Sequence, residues 1–155
     1  MRITLPPLGF GGAPLGNMFQ PLDEATADAT LKAAWEAGIR YYDTSPHYGA
    51  GLAEQRFGRL LSHKPRDEFV LSTKVGRLLQ PAAAPENAKP FVDELPNKRV
   101  VDYSADGARR SIETVLSAWA SIESMSPSFM TCLKTNGGRS GPSTSSRPCM
   151  ARRKH

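Results

Sequence analysis

Little in this sequence would metallate it, anchor it in a membrane or send it out of the cell. It has two cysteines, Cys132 and Cys149, and neither stands in a Cys-x-x-Cys or Cys/His ligand spacing. No metal site is therefore expected. No run approaches the roughly 18 apolar residues of a membrane span, and the opening MRITLPPLGF lacks the basic-then-apolar order of a secretory signal. A cytoplasmic protein without a membrane partner is the expectation. Acidic residues are scarce at one end: in residues 120–155, six basic side chains are set against Glu123 alone. The net charge of +5 thus belongs to this tail and says nothing about a binding site. The tail is poor in aromatics too, with Phe129 alone, so base stacking has little to work with and nucleic acid is not an expected partner. The glycines of Gly9-Phe10-Gly11-Gly12 do not make a GxGxxG fingerprint, and no acid follows at the spacing a Rossmann unit needs.

What is present centres on Gly38 to Leu61, GIRYYDTSPHYGAGLAEQRFGRLL. Ile39-Arg40-Tyr41-Tyr42 is β-prone. It ends at Asp43, and Pro46 cannot donate to a sheet ladder, so the strand stops there. Leu52 to Leu61 has helical spacing, with Leu52, Phe57, Leu60 and Leu61 on the apolar face. A carboxylate thus sits at a strand's C-terminal tip, and a loop carries His47, Tyr48 and Gly49 into a helix. Phe69-Val70-Leu71-Ser72-Thr73 repeats the pattern with Lys74 at its tip. A buried ammonium is costly without a partner, and Asp43 is the obvious one. Beside Tyr48, that cation favours the phenolate, which suits the hydroxyl for trading a proton with a carbonyl oxygen.

The rest of the chain supplies scaffold. Pro6 to Ala13 reads as a short strand entering a glycine-rich loop. Asp23 to Ala37 is a helix with acids at its positive end, with Ala27, Leu31, Ala34 and Trp35 facing inward and Gly38 as its stop. Val75 to Lys98, with four prolines, has loop composition and reads either as a wall of the substrate pocket or as a mobile insertion. Arg99 to Tyr103 is briefly extended. Ser104 caps a helix running to about Trp119, with Ala108, Ile112, Val115 and Leu116 facing inward. Strands alternating with helices indicate an α/β fold.

Asp43-Thr44, Tyr48-Gly49, Glu54, Gly58 and Ser72-Thr73-Lys74 together resemble the aldo-keto reductase family. The wording FGGAPLGN, RYYDTSPHYG and LSTKVGRLL is most similar to its branch of aldose, fucose and pyridoxal dehydrogenases, and the resemblance covers roughly Leu8 to Glu113. It implies a (β/α)₈ TIM barrel, a NADP or NAD cofactor, a carbonyl or sugar substrate and an Asp-Tyr-Lys-His tetrad. Asp43, Tyr48 and Lys74 match three of the four as catalytic residues. By the same resemblance Gly12, Ala13 and Asp43 line the cofactor. The tetrad histidine has no match; His47 reads as a loop histidine bordering the pocket.

A barrel of this class takes about 250 residues, and the chain has 155. Residues 1–119 therefore read as the first three or so βα units of an incomplete barrel. Residues 120–155 read as an unrelated, disordered basic tail. Reading the codons behind Ser121 to Thr131 in a shifted frame permits D-R-I-D-V-A-F-I-H-D, which resembles the missing fourth strand with its histidine. A frameshift near Thr114 is the corresponding expectation. The 155-residue product is then expected to be unstable and inactive, a non-enzymatic fragment or pseudogene product being the alternative to an active oxidoreductase. A nucleic-acid binder acting through the basic tail is the lesser alternative.

Overall fold

A computed structural model describes residues 5–120. The expectations for the tail and for a frame change therefore lie almost wholly outside the described residues. Three strands, β1 (Phe10–Gly11), β2 (Tyr41–Asp43) and β3 (Val70–Ser72), form a parallel sheet in that order. Gly11 stands opposite Asp43, and Asp43 opposite Ser72. Helix α1 (Glu24–Glu36) connects β1 to β2, and α2 (Leu52–Leu61) connects β2 to β3. These are successive βα units of a parallel sheet. No helix among the described residues is long and apolar enough to cross a membrane.

Side-chain alternation in the strands divides the sheet into two faces. Tyr42 points to the helices and is fully buried, with Phe57 of α2 edge-on at 5.7 Å and Phe69 at 6.5 Å. Leu15, Ala27, Leu31, Ala53 and Leu61 complete this core. Gly12 belongs to it as well, since a Cβ there would stand 2.3 Å from the Phe57 ring. Asp23 caps α1 by accepting from the Thr26 amide at 2.8 Å. The opposite face carries Gly11, Tyr41, Asp43, Val70 and Ser72 by register, and is polar at the strand tips.

The stretch from Val75 to Lys98 is not the simple loop its composition suggests. Strand β4 (Arg77–Pro81) pairs antiparallel with β5 (Asn97–Val101), with Pro81 opposite Asn97. Residues 82–96 form the connection at its end. Helix α3 (Ala105–Ala120) follows and packs on α2 and β4. Its most buried positions are Gly107, Ser111 and Val115, while Ala108, Ile112 and Leu116 are only half-buried. The inward face is therefore rotated from the one the apolar residues alone suggest.

Candidate active site

Asp43 closes β2, and its backbone is held on both sides. Its carbonyl accepts from the Gly12 amide at 2.8 Å, and the next residue, Thr44, donates its amide to the Ser72 carbonyl at 2.9 Å. With the main chain fixed this way, the carboxylate lies on the open face. Oδ1 accepts from the Ser72 hydroxyl at 2.6 Å, and Oδ2 accepts from Lys74 Nζ at 2.7 Å. The ammonium also donates to the Thr44 carbonyl at 3.1 Å. Partial burial alone would lower the Lys74 pKa, but hydrogen bonds with Asp43 and then Tyr48 outweigh it, and the net shift is upward. Lys74 stays charged through neutral pH. Its side chain is 49% exposed and that of Asp43 37%, so the pair adds little stability. What it does is fix where the positive charge sits.

Tyr48 enters from the turn between β2 and α2. Gly49, Ala50 and Gly51 take positive φ values of 63°, 52° and 100° in succession. Such a run is costly for L-residues, and glycine at two of three places relieves most of it. Close approach adds a second demand. A Cβ on Gly16 would fall 2.5 Å from the Tyr48 carbonyl carbon, and one on Gly49 would fall 2.7 Å from the Gly16 oxygen. The loop after β1 is thus laid directly on the backbone that carries Tyr48. The Lys74 ammonium stands over the Tyr48 ring, 5.0 Å from its centroid. Asp43, Tyr48 and Lys74 accordingly meet around one charge.

The other anticipated residues are placed less simply. The Cβ direction of Gly12 is filled by Phe57, so its lack of a side chain serves the core. Ala13 is half-buried and leads into a short 3-10 helix at Pro14–Gly16. Beside Asp43 it is Gly11 that opens on free space, with nothing within 4 Å of where a Cβ would be. His47 turns to Phe91, ring centroids 5.2 Å apart. Burial, followed by the charges of Arg99 and Arg77, lowers its pKa and keeps it neutral.

Glu54 was legible only as part of a motif. Its place on α2 reads as an ordinary helical carboxylate, yet it is 3% exposed and accepts from the Thr73 hydroxyl at 2.7 Å. Burial pushes its pKa up from 4.5 to about 7, against the downward pull of that hydrogen bond and of Lys74. Between those two values the folded chain holds a proton that the unfolded chain has released. Stability therefore falls as pH rises through that window and levels off above it. Glu54→Gln should flatten this slope and stabilise the chain above pH 7 by on the order of 1 kcal/mol or more. Denaturant unfolding of both forms at pH 5 and pH 8 measures it, and equal slopes in the two would contradict it.

With this geometry in place, comparison with known proteins is decisive for ancestry. The model of the aldo/keto reductase family matches residues 7–119. The chain belongs to the aldo/keto reductase family. It is 50% identical over 117 residues to a D-threo-aldose 1-dehydrogenase of Pseudomonas sp., covering 71% of this chain and 35% of that protein. It is 42% identical over 121 residues to a pyridoxal 4-dehydrogenase of Microbacterium luteolum, covering 72% and 35%. The holo form of an aldo-keto reductase from Bacillus halodurans superposes with a TM-score of 0.52 at 29% identity, covering 73% of this chain and 32% of that one. This aldo/keto reductase chain thus spans about a third of the length of the relatives it matches, and the three parallel strands correspond to part of a TIM barrel.

Proposed function

We propose that residues 7–119 supply the proton-handling part of a nicotinamide-dependent oxidoreductase acting on a carbonyl or a sugar, with Tyr48 as the acid/base. The observation that carries this reading is the Lys74 ammonium, bonded to Asp43 and standing over Tyr48 at the strand tips. As Tyr48 gives up its proton to a carbonyl oxygen, negative charge develops on the phenol, and a fixed neighbouring cation stabilises it. In the oxidative direction the same group accepts the proton from a sugar hydroxyl. Asp43 keeps the ammonium in place; Ser72 and Thr44 keep Asp43 in place.

A NADP or NAD nicotinamide would supply the hydride. Room for such a planar ring is supported by Gly11, paired with Asp43, where nothing lies within 4 Å of a Cβ position. Asp43, Gly11 and Ala13 would hold it. The substrate expected is an aldose or similar small hydroxylated carbonyl, as for the 50%-identical relative.

The 155-residue polypeptide on its own is proposed to be inactive. Among the described residues the imidazoles are those of His47 and His63, and the ring contact of His47 is with Phe91. The reading is tested in a chimera carrying residues 7–119 in place of the matching part of the D-threo-aldose 1-dehydrogenase. NAD(P)-dependent aldose oxidation by the chimera, none by the 155-residue chain, and its loss in Tyr48→Phe are the expected results. Turnover by the chimera that is indifferent to Tyr48→Phe would overturn the assignment.

A further inference from the structure

We propose that the connection between β4 and β5, together with the first residues of β5, is a strap that positions the Tyr48 ring, with Phe91 as the positioning residue. Two sets of bonds anchor the strap, one to each side of the site. On the side of the first loop, the Val92 amide donates to the Asn17 carbonyl at 3.1 Å and the Phe19 amide donates to the Pro90 carbonyl at 2.8 Å. Asn17 Nδ2 donates to the Asp93 carbonyl at 3.2 Å. On the side of the tyrosine turn, the Leu95 amide donates to the Gly49 carbonyl at 3.2 Å. Asn97 Nδ2 donates to the Ala50 carbonyl at 2.9 Å, and Arg99 Nη2 to the His47 carbonyl at 2.9 Å.

The strap is also locked internally. Arg99 is paired with Glu94 and Glu86, and Glu94 is fully buried at its side chain. Glu94 Oε2 accepts from the Ala88 amide at 3.0 Å as well. A buried carboxylate with both a guanidinium and an amide on it holds one geometry, because any other leaves charge unpaired. The product of this framework is the location of Phe91. It is 3% exposed, and its ring lies 5.8 Å from Tyr48 and 5.2 Å from His47. Phe91 therefore restricts one side of the ring whose hydroxyl must meet the substrate, while Lys74 stands over its face. Aromatic contacts of this kind fix orientation beyond the area they bury. The inference depends on the proposed role of Tyr48 only for its meaning in catalysis; the contact itself can be tested without cofactor or substrate.

The test uses the full chain labelled with ¹³C-tyrosine, with the four tyrosines assigned by single Tyr→Phe replacements. In Phe91→Leu, the Tyr48 ring resonances should lose most of their displacement from free tyrosine, while those of Tyr42 in the core keep theirs. Asn97→Ala, which removes only the bond to Ala50, should shift Tyr48 in the same direction by less. Amide exchange at Leu95 should accelerate about tenfold or more in Phe91→Leu as the strap opens locally. An unmoved Tyr48, or a Tyr42 that moves as far as Tyr48, would overturn the proposal, the second outcome marking a general packing role. Failure of the chimera's Tyr48→Phe control would leave this result untouched, so the two readings fail separately.

Discussion

Replacing Arg56 with alanine is expected to destabilise the chain by about 3–5 kcal/mol, the cost typical of removing one partner from a buried charged network. The side chain is 2% exposed and spends all five of its N–H donors inside the protein. Nη1 donates to the Leu15 carbonyl at 2.7 Å and to Asn17 Oδ1 at 2.9 Å. Nη2 donates to the Leu22 carbonyl at 2.6 Å and to Glu24, and Nε donates to Glu24 at 3.0 Å. Without it, the Leu15 and Leu22 carbonyls lose this donor, each worth about 1–3 kcal/mol where water cannot replace it, while Asn17 Oδ1 keeps only the Leu22 amide at 3.1 Å. Lysine has three donors and no fork, so Arg56→Lys should recover only part of the loss. Arg59, one turn on, contacts the same Glu24 and also Asp28 from a half-buried position, both carboxylates being more than half exposed. Arg59→Ala should cost under about 1 kcal/mol. Urea unfolding of the three variants measures the contrast; similar losses for Arg56→Ala and Arg59→Ala would refute it.

The consequence reaches the site through the first loop. Arg56 ties Leu15, Asn17 and Leu22 to α2, and Gly16 between them rests on the Tyr48 backbone. Asn17 then carries the strap through its own carbonyl and amide. A buried charge on a helix thus determines where an aromatic ring on a different loop can stand. The coupling is carried by direct bonds from Arg56 to the first loop and from Asn17 to the strap.

Much of this was readable in advance for a physical reason. Asp43 ends β2 and Lys74 follows the end of β3 by two residues, and a strand end is fixed by local pattern: aromatic and β-branched residues, then a proline or a polar turn. Parallel pairing of neighbouring strands then brings the two tips together without further information. Helix α2 was equally plain from Leu52, Phe57 and Leu61. Arg56 and Glu54 were not, because spacing rules assign charged residues on a helix to solvent, and their burial depends on partners more than 15 residues away. The pairing of β4 with β5 has no local signal, although Arg99-Val100-Val101 reads as extended, because Asn97-Lys98 and Gln80-Pro81 carry little strand propensity. Their pairing is supported by Arg99 and its carboxylates, contacts made across the connection. Local sequence does not separate a mobile insertion from a pocket wall for the same reason; the bonds to Asn17, Gly49 and Ala50 are long-range and leave no local signature.

Tyr48→Phe in the chimera is expected to lower aldose turnover by about 10²–10⁴-fold, the range typical of losing a positioned proton donor. Phenylalanine keeps the ring, so the contacts to Phe91 and to the Lys74 ammonium survive and substrate affinity should change little. The loss should therefore fall on kcat, leaving KM within a few-fold. Lys74→Met removes the charge and keeps a stem of similar length. It should cost about 10²–10³-fold, the usual result of deleting one electrostatic stabiliser of a developing anion. Asp43→Asn should cost less, because Lys74 retains its bond to the Thr44 carbonyl at 3.1 Å and loses only the carboxylate that fixes it. Since all three groups act on one proton, the double variant Tyr48→Phe/Lys74→Met should be scarcely worse than Tyr48→Phe alone. Steady-state kinetics of the four chimeras decides this. Additive losses would mean that Lys74 works on something other than the tyrosine oxygen, and the ammonium over the Tyr48 ring would then need a different explanation.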